Sequence, residues 1–162
     1  MQTFLPYVNF NATASTLDYK RLGKQRVEAL QIHNIVSGKR TTGGWINHPA
    51  VQMWMGYEDA LAEYHNAMVE EWVDRGYKNT MKLLPHDGDL STCNDLWHIK
   101  FYTDKYKNRR WYPEWLSDER IIESHRSNLL RKDYAFYSKY NWDVPDNLPY
   151  VWGANETLDI KK

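Results

Sequence analysis

Three stretches of the chain carry apolar residues at helical spacing, and they predict helices near 15–36, 49–75 and 118–132. The middle stretch has the most regular stripe, in which an apolar residue returns every three or four positions: Val51, Trp54, Tyr57, Leu61, Tyr64, Met68 and Trp72. No sustained alternation of apolar and polar residues indicates a strand. The pattern therefore predicts an all-α fold, a compact single-domain helical bundle.

Residues with known preferences for helix ends mark the boundaries of these stretches. Ser15 is the expected N-cap of the first helix, with Asp18 completing a capping box, and Gly38 ends it. Pro49 suits the first turn of the second helix, Gly56 is a point where that helix bends or splits, and Gly76 closes it. Ser117 is the expected N-cap of the third helix.

Two other segments lack a helical pattern. Residues 84–110 are predicted to form an irregular insertion, within a stretch from 80 to 112 whose structure the pattern does not define. Residues 141–162 contain two prolines and are predicted to form an extended C-terminal wrap. Both segments are assigned to the same single domain, 1–162.

The cysteine and histidine content bears on location and cofactors. One cysteine, Cys93, excludes an internal disulfide bond. No apolar run approaches the roughly 20 residues that span a bilayer, and the first residues do not resemble a signal peptide, so a cytoplasmic protein with no membrane partner is expected. The six histidines show no HExxH motif and the chain has no paired cysteines, so neither a metal nor another cofactor is expected.

Charge and aromatic content bear on the partner. Lys and Arg number 21, as do Asp and Glu, and this neutrality disfavours nucleic acid as the partner. The distribution is uneven, however, because residues 50–75 hold six acids and one base while residues 96–132 hold nine bases and five acids. Eight Trp and twelve Tyr are expected to serve the core first and base stacking second.

Charged and polar side chains interrupt the apolar faces of two predicted helices. Arg26 and His33 lie in the apolar arc of the first helix. A buried guanidinium group needs a partner. That partner is either an acid of the second helix, such as Glu58 or Asp59, or an anionic ligand, and the sequence leaves both open.

The third helix has a similar pair, His125 and Arg126, on or near its apolar arc. Because both arcs must face one core, the two pairs are predicted to converge on a polar internal pocket. The opposite side of the first helix carries Lys20, Arg21, Lys24 and Glu28, and it is predicted to face solvent. The predicted ligand-binding residues are Arg21, Gln25, Arg26, His33, Asn47, His48, Trp54, Tyr57, His125, Arg126, Asn128 and Arg131.

Five segments of the chain resemble a bacterial and phage family that is itself distantly similar to the phage pyrimidine-dimer DNA glycosylase. They are LDYKRLGKQRVEALQI, SGKR, GWINHPAVQMWMGYEDAL, EEWVDRGY and SHRSNLLRKDYAFY. The resemblance implies a compact all-α scaffold. For the glycosylase, it also implies an N-terminal amine that attacks the sugar carbon to form an imine, and a glutamate on the first helix.

This chain departs from that pattern at both catalytic groups. Gln2 is too large for ready removal of the initiator methionine, so the amine would belong to Met1. Alignment on Gly38 places Gly23 where the glutamate is expected, and Glu28, the nearest acid, falls on the charged side of the helix. The expectation is therefore that no catalytic residue is present. In the alternative interpretation, Met1 and Glu28 are catalytic.

Three functions remain open on these grounds. The favoured one is a binding protein for a nucleotide-like anionic ligand. The phage members of the family suggest capture of a host nucleotide signal, as a counter-defence in the host cytoplasm. The alternatives are a DNA glycosylase or another enzyme acting on a modified nucleobase, and a helical interaction protein with a structural polar core. A homo-oligomer that completes the pocket is also left open.

Overall fold

The structure is a computed structural model that describes residues 1–86 and 112–153. Most of the predicted insertion, residues 87–110, and the end of the predicted wrap, residues 154–162, lie outside the described residues, as does Cys93. Among the described residues no helix is long and apolar enough to cross a membrane.

The described residues form six α-helices and no strand, which confirms the all-α prediction. Two short 3-10 turns accompany them, Glu114–Ser117 and Ser138–Tyr140. The helices are α1 (Phe10–Thr16), α2 (Tyr19–Val36), α3 (Pro49–Gln52), α4 (Glu58–Asp74), α5 (Glu119–Lys132) and α6 (Tyr134–Tyr137).

The first predicted helix is two helices, and its predicted N-cap was wrong. The backbone becomes extended at Leu17, and the Asp18 side chain caps α2 by accepting the N–H of Arg21. Asn9 caps α1 in the same way, through the N–H of Ala12. Ser15 donates its hydroxyl to a carbonyl within α1, so it ends a turn rather than starting a helix.

The second predicted helix begins at Pro49, as expected, but is split in two, and the third begins one residue later than predicted. Gly56 adopts a positive φ of 86°, which L residues rarely tolerate, and the helix is interrupted there between α3 and α4. Asp118, not Ser117, is the N-cap of α5, because its carboxylate accepts the N–H of Arg120. Ser117 belongs to the preceding 3-10 turn.

The core forms where α2 packs against α4 and α1 covers α4. The close approach of α2 and α4 explains the glycine in α2. A Cβ atom on Gly23 would lie 2.9 Å from Cζ3 of Trp72. The glycine therefore makes room for an indole ring of the facing helix.

Two extended segments complete the core. Residues 1–8 enter it beside α2 and α4, where Tyr64 donates its hydroxyl to the Phe4 carbonyl at 2.7 Å and the Trp54 indole donates to the Thr3 hydroxyl at 3.0 Å. Residues 141–153 cross α5, because the N–H of Leu148 donates to the Ser127 hydroxyl at 2.9 Å. The Trp142 indole donates to the Tyr7 hydroxyl at 3.0 Å, so the first and last described segments meet on the same side of the bundle.

Candidate functional site

The first residues of the chain are held against α2 by two side chains. The backbone N–H of Gln2 donates to Oε2 of Glu28 at 3.1 Å. Gln25 donates to the Gln2 carbonyl at 2.8 Å and accepts the N–H of Phe4 at 3.0 Å. Residues three apart in a helix share a face, so Gln25 and Glu28 present one polar strip to the N-terminal segment.

The prediction that Glu28 faces solvent was wrong. Only 9% of Glu28 is exposed, and Gln25 adds a second donor to its carboxylate at 3.2 Å. A helical face that packs against an extended backbone needs polar groups, because that backbone has N–H and C=O groups to satisfy. On a helical projection such a face cannot be distinguished from one that faces solvent.

Gly23, which alignment on Gly38 places at the position of the family's glutamate, has a packing role. Gly23 faces Trp72 of α4. Glu28 lies five residues, or about 1.4 turns, further along α2, on the side that meets the N-terminal segment. Glu28 is therefore the acid of this helix that stands beside the start of the chain.

A cavity of about 520 Å³ opens beside this contact. Its walls come from the N-terminal segment, from α2, from the start of α3, from the last residue of α5 and from the C-terminal segment. The lining residues are Met1, Gln2, Phe4, Lys20, Arg21, Lys24, Gln25, Glu28, His48, Lys132, Tyr150 and Trp152.

The cavity is basic although the chain is neutral. Lys20, Arg21, Lys24 and Lys132 line it, against one acid, Glu28. Burial lowers the pKa of Lys132, and the charges of Arg21 and neighbouring cations lower it further. Cations held this close to one another favour an anion between them.

One wall of the cavity is aromatic. The rings of Tyr150 and Trp152 lie 5.3 Å apart between centroids, at 34° to each other. The edge of His48 meets Trp152 at 5.8 Å and 87°. His48 is fixed there as the N-cap of α3, because its Nδ1 atom accepts the N–H of Ala50 at 3.0 Å. Such a wall offers a flat ring a surface on which to stack.

Three of the twelve predicted ligand-binding residues line this cavity: Arg21, Gln25 and His48. Both residues of the alternative catalytic interpretation, Met1 and Glu28, line it as well. Arg21 also pairs with Oδ1 of Asp18 at 3.1 Å. The cavity therefore contains both residues of the predicted catalytic pair, but only a quarter of the residues predicted to bind a ligand.

Arg26 and His33 lie elsewhere. The Arg26 guanidinium stacks on the Trp72 ring at 4.0 Å, and its Nη1 donates to the Asn79 side chain at 2.8 Å. Neither Glu58 nor Asp59 is its partner in these contacts. His33 is buried, and burial lowers its pKa.

The other pair, His125 and Arg126, has a different set of neighbours. Nδ1 of His125 accepts the N–H of Leu5 at 2.8 Å. Arg126 donates to the Pro6 carbonyl at 2.8 Å and stacks on Tyr7 at 4.8 Å. The predicted convergence of the two pairs was wrong, because Arg26 packs against Trp72 and Asn79, whereas the α5 pair binds the backbone of the N-terminal segment.

The remaining predicted residues have structural positions. Trp54 is a fully buried core residue, and Tyr57 precedes α4 at its N-cap position. Asn47 is exposed on the loop before α3. Asn128 and Arg131 both donate to the Leu148 carbonyl, at 3.2 and 3.4 Å, and so hold the C-terminal segment.

The sequence interpretation missed seven cavity residues: Gln2, Phe4, Lys20, Lys24, Lys132, Tyr150 and Trp152. A signal for two of them was present. Lys20, Lys24 and Glu28 recur every four residues and so form one row along α2. The residues outside α2 are brought to the cavity by packing and carry no such signal.

Residues 1–85 match the family model described as pyrimidine dimer DNA glycosylase. The chain belongs to the pyrimidine dimer DNA glycosylase family. The match includes the N-terminal segment and α1 to α4, and with them nine of the twelve cavity residues, all but Lys132, Tyr150 and Trp152. No curated protein and no solved structure matches the chain.

Within residues 1–86 and 112–153 no group of three or more His, Cys, Asp or Glu side chains is arranged to hold a metal ion. The side chains that line the Glu28 cavity carry amines, a guanidinium, an imidazole, a carboxylate, glutamine amides and aromatic rings. This set suits recognition of a phosphate-bearing group with a flat ring.

Proposed function

We propose that this member of the pyrimidine dimer DNA glycosylase family excises a base from DNA in the Glu28 cavity. The observation that carries the proposal is the 3.1 Å hydrogen bond from the Gln2 N–H to Glu28, which places a buried carboxylate beside the start of the chain. The family resemblance implies that these two groups, an N-terminal amine and a glutamate, carry the reaction.

The cavity supplies the other requirements of such a reaction. Lys20, Arg21 and Lys132 line the cavity and are the cations that would pair with the phosphates beside the target nucleotide. Tyr150 and Trp152 offer a stacking surface for a base that has left the duplex. The local excess of cations removes the objection that zero net charge raises against a nucleic-acid partner.

The proposed step is nucleophilic substitution at the sugar. The amine nitrogen of residue 1 forms a bond to C1′ of the sugar, and the bond from C1′ to the base nitrogen breaks. The base leaves with that electron pair and takes up a proton. Glu28 acts as the proton-transfer group and stabilises the positive charge that develops on the sugar. The bound nitrogen then gives up a proton, and its lone pair forms the C=N bond as the C1′–O4′ bond breaks. O4′ takes up a proton, so the sugar ring opens to an imine. Loss of a proton from C2′ then eliminates the 3′ phosphate, which cuts the strand.

The test uses duplex oligonucleotides that contain one pyrimidine dimer or one abasic site, with an undamaged duplex as reference. Glu28→Gln keeps the shape of the side chain but removes its charge and its proton transfer. We expect strand cleavage and a borohydride-trapped adduct with the unsubstituted protein. For Glu28→Gln we expect a rate at least about 100-fold lower. Peptide mapping should place the adduct on residue 1.

The matched control is Glu123→Gln, which neutralises an exposed acid on α5 outside the cavity. Its activity should equal that of the unsubstituted protein. Equal cleavage by Glu28→Gln, or the absence of any adduct on damaged DNA, would contradict base excision in this cavity.

A second candidate is nucleotide binding without turnover. Glu28 already accepts bonds from Gln2 and Gln25 and lies 3.6 Å from the Lys24 amine, so its carboxylate also has a structural role. Incubation with a nucleotide pool, followed by recovery of the bound molecules, separates the candidates. Recovery of an intact nucleotide, with no cleavage of damaged DNA, supports binding alone.

A further inference from the structure

An exposed tryptophan stands outside the Glu28 cavity. Trp45 lies on the loop between α2 and α3, and 48% of its surface is exposed. Its ring meets the His48 ring at 5.3 Å and 63°. Leaving a large apolar ring in water forgoes the free energy that its burial would release. A ring in that position can therefore pack against a ligand.

Trp45 extends the aromatic wall of the cavity to the surface. His48 contacts Trp45 on one side and Trp152 on the other, and Trp152 contacts Tyr150. His48, Trp152 and Tyr150 line the Glu28 cavity, whereas Trp45 lies beyond it. The row of rings therefore leads from the interior of the cavity to its outer rim.

Trp45 also borders a second cavity, of about 120 Å³, that adjoins the first. Met1 lines both cavities. The smaller one also contains Arg40, whose Nε donates to the Thr42 carbonyl at 3.1 Å and so holds the guanidinium over the same loop. An exposed indole and a guanidinium thus share one small recess beside the Glu28 cavity.

An indole next to a guanidinium matches the two parts of a nucleotide. A base stacks on an aromatic ring whatever its sequence, and a guanidinium pairs with phosphate. Trp45 is 48% exposed, so its open face is the surface on which a base would lie. Because successive nucleotides are covalently linked, such a subsite serves the neighbour of the nucleotide held in the larger cavity.

We propose that Trp45 and Arg40 form a second nucleotide subsite, which binds the nucleotide adjacent to the one in the Glu28 cavity. Trp45 stacks the unstacked base of that nucleotide, and Arg40 pairs with its phosphate. This inference rests on the proposed function, since it takes a DNA strand as the ligand. It assigns Trp45 to positioning the strand, and not to the chemical step.

The experiment measures binding of a labelled duplex that carries one tetrahydrofuran abasic analogue, whose C1′ has no leaving group and so cannot react with the amine. In a second set of duplexes, the nucleotide on the 5′ or the 3′ side is also replaced by tetrahydrofuran and so lacks a base. The variants are Trp45→Ala and Trp45→Phe. The control is Tyr77→Ala, which removes an exposed aromatic ring that lines neither cavity.

We expect Trp45→Ala to lower affinity for the first duplex about tenfold, and Trp45→Phe to keep most of the affinity. Loss of the neighbouring base on one side should weaken the unsubstituted protein by a similar factor and leave Trp45→Ala unchanged. Tyr77→Ala should bind every duplex normally. This coupling between one ring and one base is not expected of a side chain with only a structural role.

Two results would overturn the subsite. One is normal affinity of Trp45→Ala. The other is a loss of affinity that is the same whether or not the neighbouring base is present. If either result accompanies cleavage that depends on Glu28, base excision stands and the subsite fails. If the unsubstituted protein binds none of the duplexes, both proposals fail.

Discussion

Leu5 donates its backbone N–H to Nδ1 of His125 across 2.8 Å, and this bond joins the N-terminal segment to the middle of α5. His125 is completely buried, and burial lowers its pKa to about 3. A doubly protonated imidazole has no lone pair with which to accept the Leu5 bond. The contact therefore requires the neutral ring.

This requirement predicts a loss of stability in acid. In the unfolded chain the His125 pKa returns to about 6.5, so below that pH the unfolded state binds a proton that the folded state does not. The free energy of unfolding should fall from about pH 6.5 towards pH 3, with a slope of up to about 1.4 kcal/mol per pH unit from this residue.

His125→Asn tests the assignment, because the amide oxygen can accept the Leu5 bond but does not titrate. Urea unfolding at several pH values between 7 and 4 should give a free energy of unfolding that falls less steeply with decreasing pH in the variant. His33 and His65, whose pKa values burial also lowers, are present in both proteins and cancel in the comparison. Equal slopes for the two proteins would show that His125 does not control this dependence.

The contact between Gly23 and Trp72 predicts the effect of a single methyl group. Gly23→Ala should lower the free energy of unfolding by about 1 kcal/mol, because the clash with the indole outweighs the better helix propensity of alanine. In a Trp72→Ala background the same substitution should instead stabilise by about 1 kcal/mol. Chemical denaturation of the four proteins measures this cycle, and stabilisation by Gly23→Ala in both backgrounds would rule out the clash.

Arg26 is expected to contribute to stability and not to ligand binding. Arg26→Ala removes its stacking on Trp72 and its bond to Asn79, and should cost about 1–2 kcal/mol of stability. The stabilisation that a bound oligonucleotide gives should remain. Lys20→Ala, which removes a cation from the cavity, should show the reverse pattern. Thermal melting with and without the oligonucleotide measures both effects, and loss of ligand stabilisation in Arg26→Ala would argue for a ligand at that site.

The C-terminal segment is expected to couple stability to binding through Ser127. Ser127→Ala leaves the Leu148 N–H without its partner, so hydrogen exchange around residues 148–152 should accelerate. Affinity for the oligonucleotide should fall as well, because Tyr150 and Trp152 form the cavity wall. Ser117→Ala, whose hydroxyl bonds within its own turn, serves as the control. Unchanged exchange in Ser127→Ala would mean that the segment is held by its other contacts.

The sequence alone determined the helical fold class. Apolar residues at helical spacing require a partner for each stripe, and glycine and proline limit where the helices can run, so the elements followed from local rules. The caps were less well predicted. The N-caps are Asn9, Asp18 and Asp118, and not the predicted Ser15 and Ser117. The cap position depends on where the backbone turns, and packing sets that position.

The site was decided by tertiary structure. Local periodicity assigns a charged helical face to solvent, but residues 1–8 lie against that face in α2 and bring backbone groups that need Gln25 and Glu28 as partners. Arg26 packs on Trp72 of α4 and Arg126 on Tyr7 of that segment, although the pattern had placed the two arginines in one pocket. Lys132, Tyr150 and Trp152 reach the cavity although they lie more than 100 positions after Glu28 in the chain. A helical projection compares a residue only with its own helix, so it cannot show which side chains an extended segment brings together.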